Sequence, residues 1–220
     1  MKFKFTEVWG FEPAVRGMRN PLESWKKNDT YINLNNEIYM GKNDLDLAQR
    51  LIKAGTEHRK FMRQIIVSVD ITAPLYWWKE FDTYKIGTTA NSTSTMHKLA
   101  NTPITLDCFE TDDYDRTLSL VNYEDTLSEI STFEEDIIYV LENIRKKYLN
   151  TKDKRYWKEL IRWLPESWLQ TRTVTMNYEN IRNMYFQRKN HKLTEWSNSF
   201  VKWVESLPYA KELIMYEGDK

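Results

Sequence analysis

The stretch "IIVSVDITAPLYWWKEFDTY", residues 65–84, constrains the fold more than any other part of the chain. Ile65, Val67, Val69 and Ile71 fall on one side of an alternating run, the period-two signature of a half-buried strand. Asp70 falls on the polar side, where such a residue is ordinarily just exposed. Pro74 has no N–H to lose in a first helical turn, so a helix is expected through Tyr84. A strand that feeds straight into an aromatic helix needs both a sheet and a helical layer.

The rest of the chain supplies the helices. Residues 43–54 read as one, capped by Asn43 or Asp44, with Leu47, Leu51 and Ala54 on one face and Gly55 as the stop. Residues 124–149 carry Leu127, Ile130, Ile137, Leu141, Ile144 and Tyr148 at helical spacing. Residues 153–164 would bury Tyr156, Trp157, Leu160, Ile161 and Leu164. Residues 178–188 and 194–206 complete the set, the last with Trp196, Phe200, Trp203 and Val204 inward. "ITLDCF", 104–109, reads as a second strand. Many helices around a small sheet define an α+β fold, expected as a single domain over 1–220.

Composition closes off several function classes. The chain has 32 Lys and Arg against 32 Asp and Glu, so bulk charge does not drive nucleic-acid binding. Acidic residues gather in 105–137 and basic ones in 145–162, the pattern of two solvated faces. The basic aromatic stretch 145–163 places its rings and its bases on opposite helix faces, so nucleic acid is not the expected partner. One cysteine, Cys108, excludes an internal disulfide and reads as a packed thiol. The three histidines, His58, His97 and His191, lack metal-ligand spacing, so no metal is expected. No apolar run reaches the ~20 residues that span a bilayer, and a cytoplasmic protein is expected. The hydroxyl run Thr88–Thr95 reads as a polar loop.

Asn177, Asn183 and Arg188 step at intervals of six and five near the carboxyl end. An amide offers a donor and an acceptor for a pyrimidine or flavin edge, and Arg suits a carbonyl or phosphate. On a helix such residues are most often simply exposed.

Two segments together resemble the flavin-dependent thymidylate synthases (the ThyX family). In that family a strand ends in Ala-Pro, an aromatic helix follows, and then come Arg-His-Arg, seven residues, a Ser, and an Arg two further on. Residues 73–99 follow this layout without a gap. The family's later segment has its counterpart in Leu164-Pro165, Thr175-x-Asn177, Asn183, Arg188, His191 and Glu195. The resemblance covers most of 43–215. It implies a homotetramer holding FAD between subunits, with dUMP against the flavin, methylenetetrahydrofolate as carbon donor and NADPH as reductant.

By that resemblance Arg188 and Thr93 stand at the reacting nucleotide. Lys85, Asn177, Asn183 and His191 take cofactor positions. Glu80, Asn91, Thr95, Arg172 and Arg188 take nucleotide positions. The chemistry has shifted, however. Arg-His-Arg is Thr83-Tyr84-Lys85 here, the Arg after the Ser is Thr95, and Asp70 stands where the family has a His. The phosphate-gripping Arg falls on Thr171, with Arg172 adjacent. Charge-assisted hydrogen bonds to phosphate are worth roughly 1.5–3 kcal/mol each. Losing three arginines therefore removes on the order of 4–8 kcal/mol of anion binding. Two expectations follow: an enzyme modifying a pyrimidine nucleotide such as dUMP with FAD, or a non-catalytic protein of this fold that binds a nucleotide or another protein.

Overall fold

The computed structural model describes residues 1–35, 37–121 and 131–218. In chain order its elements are β1 (Lys2–Trp9), α1 (Phe11–Arg19), β2 (Tyr31–Ile32), β3 (Ile38–Tyr39), α2 (Lys42–Ala54), β4 (Ile66–Pro74), α3 (Leu75–Phe81), β5 (Thr89–Ser92) and α4 (Thr95–Lys98). Then follow β6 (Leu120–Val121), β7 (Ser131–Thr132), α5 (Phe133–Thr151), α6 (Lys154–Arg162), β8 (Leu169–Asn177), α7 (Tyr178–Arg188) and α8 (Val201–Glu205). The main sheet has strand order β1-β4-β8-β5, and β2-β3 and β6-β7 are small antiparallel pairs. The α+β class is as the sequence predicts. Among the described residues, no helix is long and apolar enough to cross a membrane.

The chain divides into two compact units. The first comprises Met1, Thr72–Glu80 and Ser92–Arg172, and the second Lys2–Ile71, Phe81–Asn91 and Thr173–Lys220.

The core of the first unit gathers Leu99, Ile104, Phe109, Leu141, Leu160 and Trp168. Ile137, Ile144 and Tyr148 pack on it from α5, and Trp157, Ile161 and Leu164 from α6 and the turn after it. These are the stripes that helical spacing predicts. Helix α5 starts at Phe133, where the Glu135 carboxylate accepts the Thr132 N–H at 3.1 Å. Residues 124–130 of the expected helix, with Leu127 and Ile130, lie outside the described residues. The expected strand 104–109 is instead a 3-10 turn, Leu106–Cys108, closed by Cys108 N–H to Thr105 O and Phe109 N–H to Leu106 O, both at 3.0 Å. Ile104 and Phe109 are buried and Leu106 is exposed, and the segment's pairing is a single antiparallel bridge from Phe109 to Trp168.

Arg145 is a buried base in a region that otherwise reads as a solvated face. It grips Glu142 with two bonds of 2.7 Å and donates to Ala100 O at 3.1 Å. Glu142 also accepts the Ile104 N–H at 2.9 Å, so one ion pair pins the 100–104 segment to α5.

In the second unit, Ile65, Val67, Val69 and Ile71 are fully buried, as their alternation predicts. Tyr178, Ile181 and Met184 of α7 are buried as well. The expected helix 194–206 is a π-helical segment, Glu195–Phe200, running into α8. The wider turn brings Trp196 onto Phe200 at 5.1 Å, and all four predicted inward residues are buried.

Helix α2 departs from expectation in its cap and its face. Its inward residues are Asp44, Ala48 and Ile52, while Leu47 and Leu51 are half-buried and Ala54 is exposed. Asp44 is not the cap. It is fully buried and bonded to Arg19 Nε at 2.5 Å, Thr30 Oγ1 at 2.7 Å and Asp29 N at 2.8 Å. The cap comes from Asp29, whose carboxylate accepts the N–H groups of Asn43 at 2.8 Å and Asp44 at 3.0 Å. Partial burial opposes ionisation of Asp29, but these backbone bonds hold its carboxyl below the usual value.

Two outcomes follow. Asp44→Ala strands the buried Arg19 charge and should cost about 3–5 kcal/mol in urea unfolding, whereas Asp46→Ala, at an exposed pair, should stay within roughly 0.5 kcal/mol. The Arg145 bond, opposed by burial and aided by the Ile104 N–H, lowers the Glu142 carboxyl to about 2. Its contribution is present above the unfolded carboxyl value of roughly 4.3 and fades as pH falls toward the folded value. Over that window the native chain should lose stability more steeply with falling pH than Glu142→Gln.

Candidate functional site

In the second unit the site is built at both ends of α7. At its start Asn177 and Asn180 cap reciprocally. Asn177 Oδ1 accepts the Asn180 N–H at 3.0 Å, and Asn180 Oδ1 accepts the Asn177 N–H at 3.3 Å. The Asn180 amide also donates to Ile86 O at 2.7 Å, which ties the 84–88 loop to the helix. Gly87 makes this approach possible. Its φ is +74°, and a Cβ there would sit 2.9 Å from Asn180 Oδ1. Thr88 Oγ1 bonds Tyr84 O within the same loop.

At the end of α7, Arg188 lies in an aromatic corner. Its Nε donates to Tyr84 Oη at 2.8 Å, and its guanidinium stands 5.6 Å from the Tyr84 ring centre and 5.0 Å from that of Trp196. Tyr84 Oη in turn donates to Gln187 Oε1 at 3.0 Å. The negative end of the helix dipole and the two ring faces favour the cation there. Tyr84 thus orients Arg188.

The other expected residues of this unit are less engaged. Asn183 is exposed on α7 and Asn91 is exposed in β5. Lys85 is exposed and lines a cavity of about 330 Å³ with Phe81, Asp82, Tyr84, Thr88 and Ala90. His191 is half-buried, and its Nδ1 accepts the Leu193 N–H at 3.2 Å. Asp70 accepts from Thr173 Oγ1 at 2.6 Å. Asn177 serves first as a cap, so its expected cofactor role competes with a structural one.

In the first unit, Arg172 stacks 4.2 Å over the ring of buried Trp78 and donates Nε to Gln170 Oε1 at 3.0 Å. Gln170 Nε2 donates to Thr93 O at 2.9 Å, and Trp78 Nε1 donates to Gln170 O at 2.9 Å. Thr93 N–H bonds Thr171 O at 2.9 Å, and Thr171 Oγ1 meets Thr72 Oγ1 at 2.7 Å. Successive strand residues point to opposite faces, so Arg172 reaches from the Trp78 side and Thr171 from the other. Thr93 is exposed, Glu80 is half-buried, and Thr95 is half-buried at the start of α4, where Ser94 Oγ accepts the His97 N–H at 3.2 Å. The hydroxyl run is thus an edge strand and a capped turn, not a formless loop.

Trp78, Gln170, Asn180 and Trp196 complete these clusters and were not singled out from sequence as site residues. Asn177-x-x-Asn180 ahead of an apolar helix face is a cap signature that the sequence does carry. Nothing local marks Gln170 or Trp196 as an arginine's partner. Among the described residues, no group of His, Cys, Asp and Glu is arranged to hold a metal ion.

No family model matches the sequence, and no curated protein matches it. Among solved structures the chain is similar to the flavin-dependent thymidylate synthase ThyX of Helicobacter pylori, in two crystal structures with FAD and dUMP. Each has a TM-score of 0.67 at 15% identity, covering 99% of this chain and 98% of that one. The chain therefore has the ThyX fold.

Asn180→Ala removes half of the reciprocal cap and the Ile86 tether. It should lower stability by about 1 kcal/mol, seen as a drop of a few degrees in thermal unfolding.

Proposed function

We propose that this chain binds a pyrimidine nucleotide, with Arg188 reading a carbonyl edge of the base. The supporting observation is the aromatic corner that orients the Arg188 guanidinium through Tyr84 and Trp196. A planar, pre-oriented fork recognises paired acceptors at less entropic cost than a mobile side chain. The ThyX fold and the dUMP in its H. pylori counterparts support the same ligand class.

The residues present do not fit FAD held by a basic motif. A flavin dinucleotide brings a diphosphate, yet the cavity beside Tyr84 is lined by one base, Lys85, and one acid, Asp82. Tyr84, in place of a motif His, commits its hydroxyl to Gln187 and Arg188. Binding without flavin-dependent methylation is therefore the function proposed, and no step through FAD, NADPH or methylenetetrahydrofolate is derived. A homotetramer is expected from the fold likeness and is part of the proposal.

The test is thermal unfolding with dUMP and, separately, with FAD. The native chain should be stabilised by dUMP. Arg188→Ala should weaken dUMP binding roughly 10–100-fold, the loss of one charge-assisted bond of about 1.5–3 kcal/mol. Arg188→Lys, which keeps the charge and loses the planar fork, should fall between. Unchanged dUMP binding in both variants would remove Arg188 from the site. Purified protein with a yellow flavin band and a shift on adding FAD would overturn the flavin-free reading.

A further inference from the structure

We propose a separate binding site, for a small organic cation with an alkylated ammonium head, in the cavity walled by Trp9, Phe11 and Tyr209. It lies in the second unit, has a volume of about 490 Å³, and shares no lining residue with the Tyr84–Lys85 cavity. That volume is within the range of small-molecule sites.

The chemistry of the lining selects the ligand's charge. The two charged residues among it are Glu12 and Glu37, both exposed carboxylates. Glu37 is oriented by Asn33, whose amide donates to it at 2.8 Å. The exposed Trp9 ring, the half-buried Tyr209 ring and two exposed carboxylates attract a cation with an apolar surface and repel a nucleotide. Two carboxylates amid apolar walls fall short of the oxygen cage that calcium or magnesium needs, which favours an organic cation.

The walls are built rather than incidental. Gly10, between β1 and α1, has φ +93°, and a Cβ there would lie 2.1 Å from Gln64 O. Tyr209 adopts φ +53°, accepts the Met40 N–H on its hydroxyl at 2.7 Å, and packs edge-on to Phe11 at 6.0 Å. Tyr178 Oη fixes the neighbouring residue by donating to Pro208 O at 2.7 Å. Trp9, 46% exposed, leaves a large ring at the mouth.

Calorimetric titration of the full chain with choline tests this, using 3,3-dimethylbutan-1-ol as the uncharged isostere. Choline should bind saturably, and the alcohol at least about fivefold more weakly. Trp9→Ala, and separately the double variant Glu12→Gln with Glu37→Gln, should each weaken choline by on the order of tenfold while circular dichroism stays native. Absence of saturable choline binding, or equal binding of the alcohol, would overturn the site. Tighter binding of a trimethyllysine peptide than of choline would overturn the small-molecule assignment.

Discussion

The reciprocal cap between Asn177 and Asn180 sets the geometry of the proposed recognition site. It fixes where β8 stops and α7 begins, and therefore where Arg188 falls at the far end of an 11-residue helix. Through Ile86 it also holds the loop that presents Tyr84. Two amide side chains thus connect strand end, helix register and aromatic corner. The close approach requires Gly87, because its backbone conformation and the space beside it both disfavour a side chain.

The arginines of this chain are immobilised in different ways. Arg19 and Arg145 are buried against carboxylates, so their charge is neutralised within the protein. Arg172 and Arg188 are half-buried and braced by aromatic rings and neutral acceptors, Gln170 and Tyr84. Here Tyr84 supports Arg188 through its hydroxyl and its ring.

Much of the fold was legible because it rests on local periodicity. The buried face of β4, the stripe of α5 from Ile137 onward and the bounds of α7 all follow from spacing. Where the sequence misled, a distant partner decided. Asp44 is an acid on an inward helix face only because Arg19, 25 positions earlier, neutralises it. Asp29 caps α2 from outside the helix, and no local pattern reveals that. The run at 104–109 is rich in apolar residues, yet it closes as a turn with Leu106 exposed. β1, α1 and β8 were not predicted as elements. Arg188 was visible from its spacing, whereas its supports Tyr84 and Trp196 lie 104 and 8 positions away and meet it only in the fold.

The central claim is that the braced Arg188 guanidinium meets the base of a bound pyrimidine nucleotide. The most direct measurement is a dUMP titration followed by the arginine Nε–H resonances in NMR, with Arg188 assigned by substitution. The account predicts a saturable shift of the Arg188 signal, while those of buried Arg19 and Arg145 stay still. A dUMP-saturated protein whose Arg188 signal has not moved would contradict it.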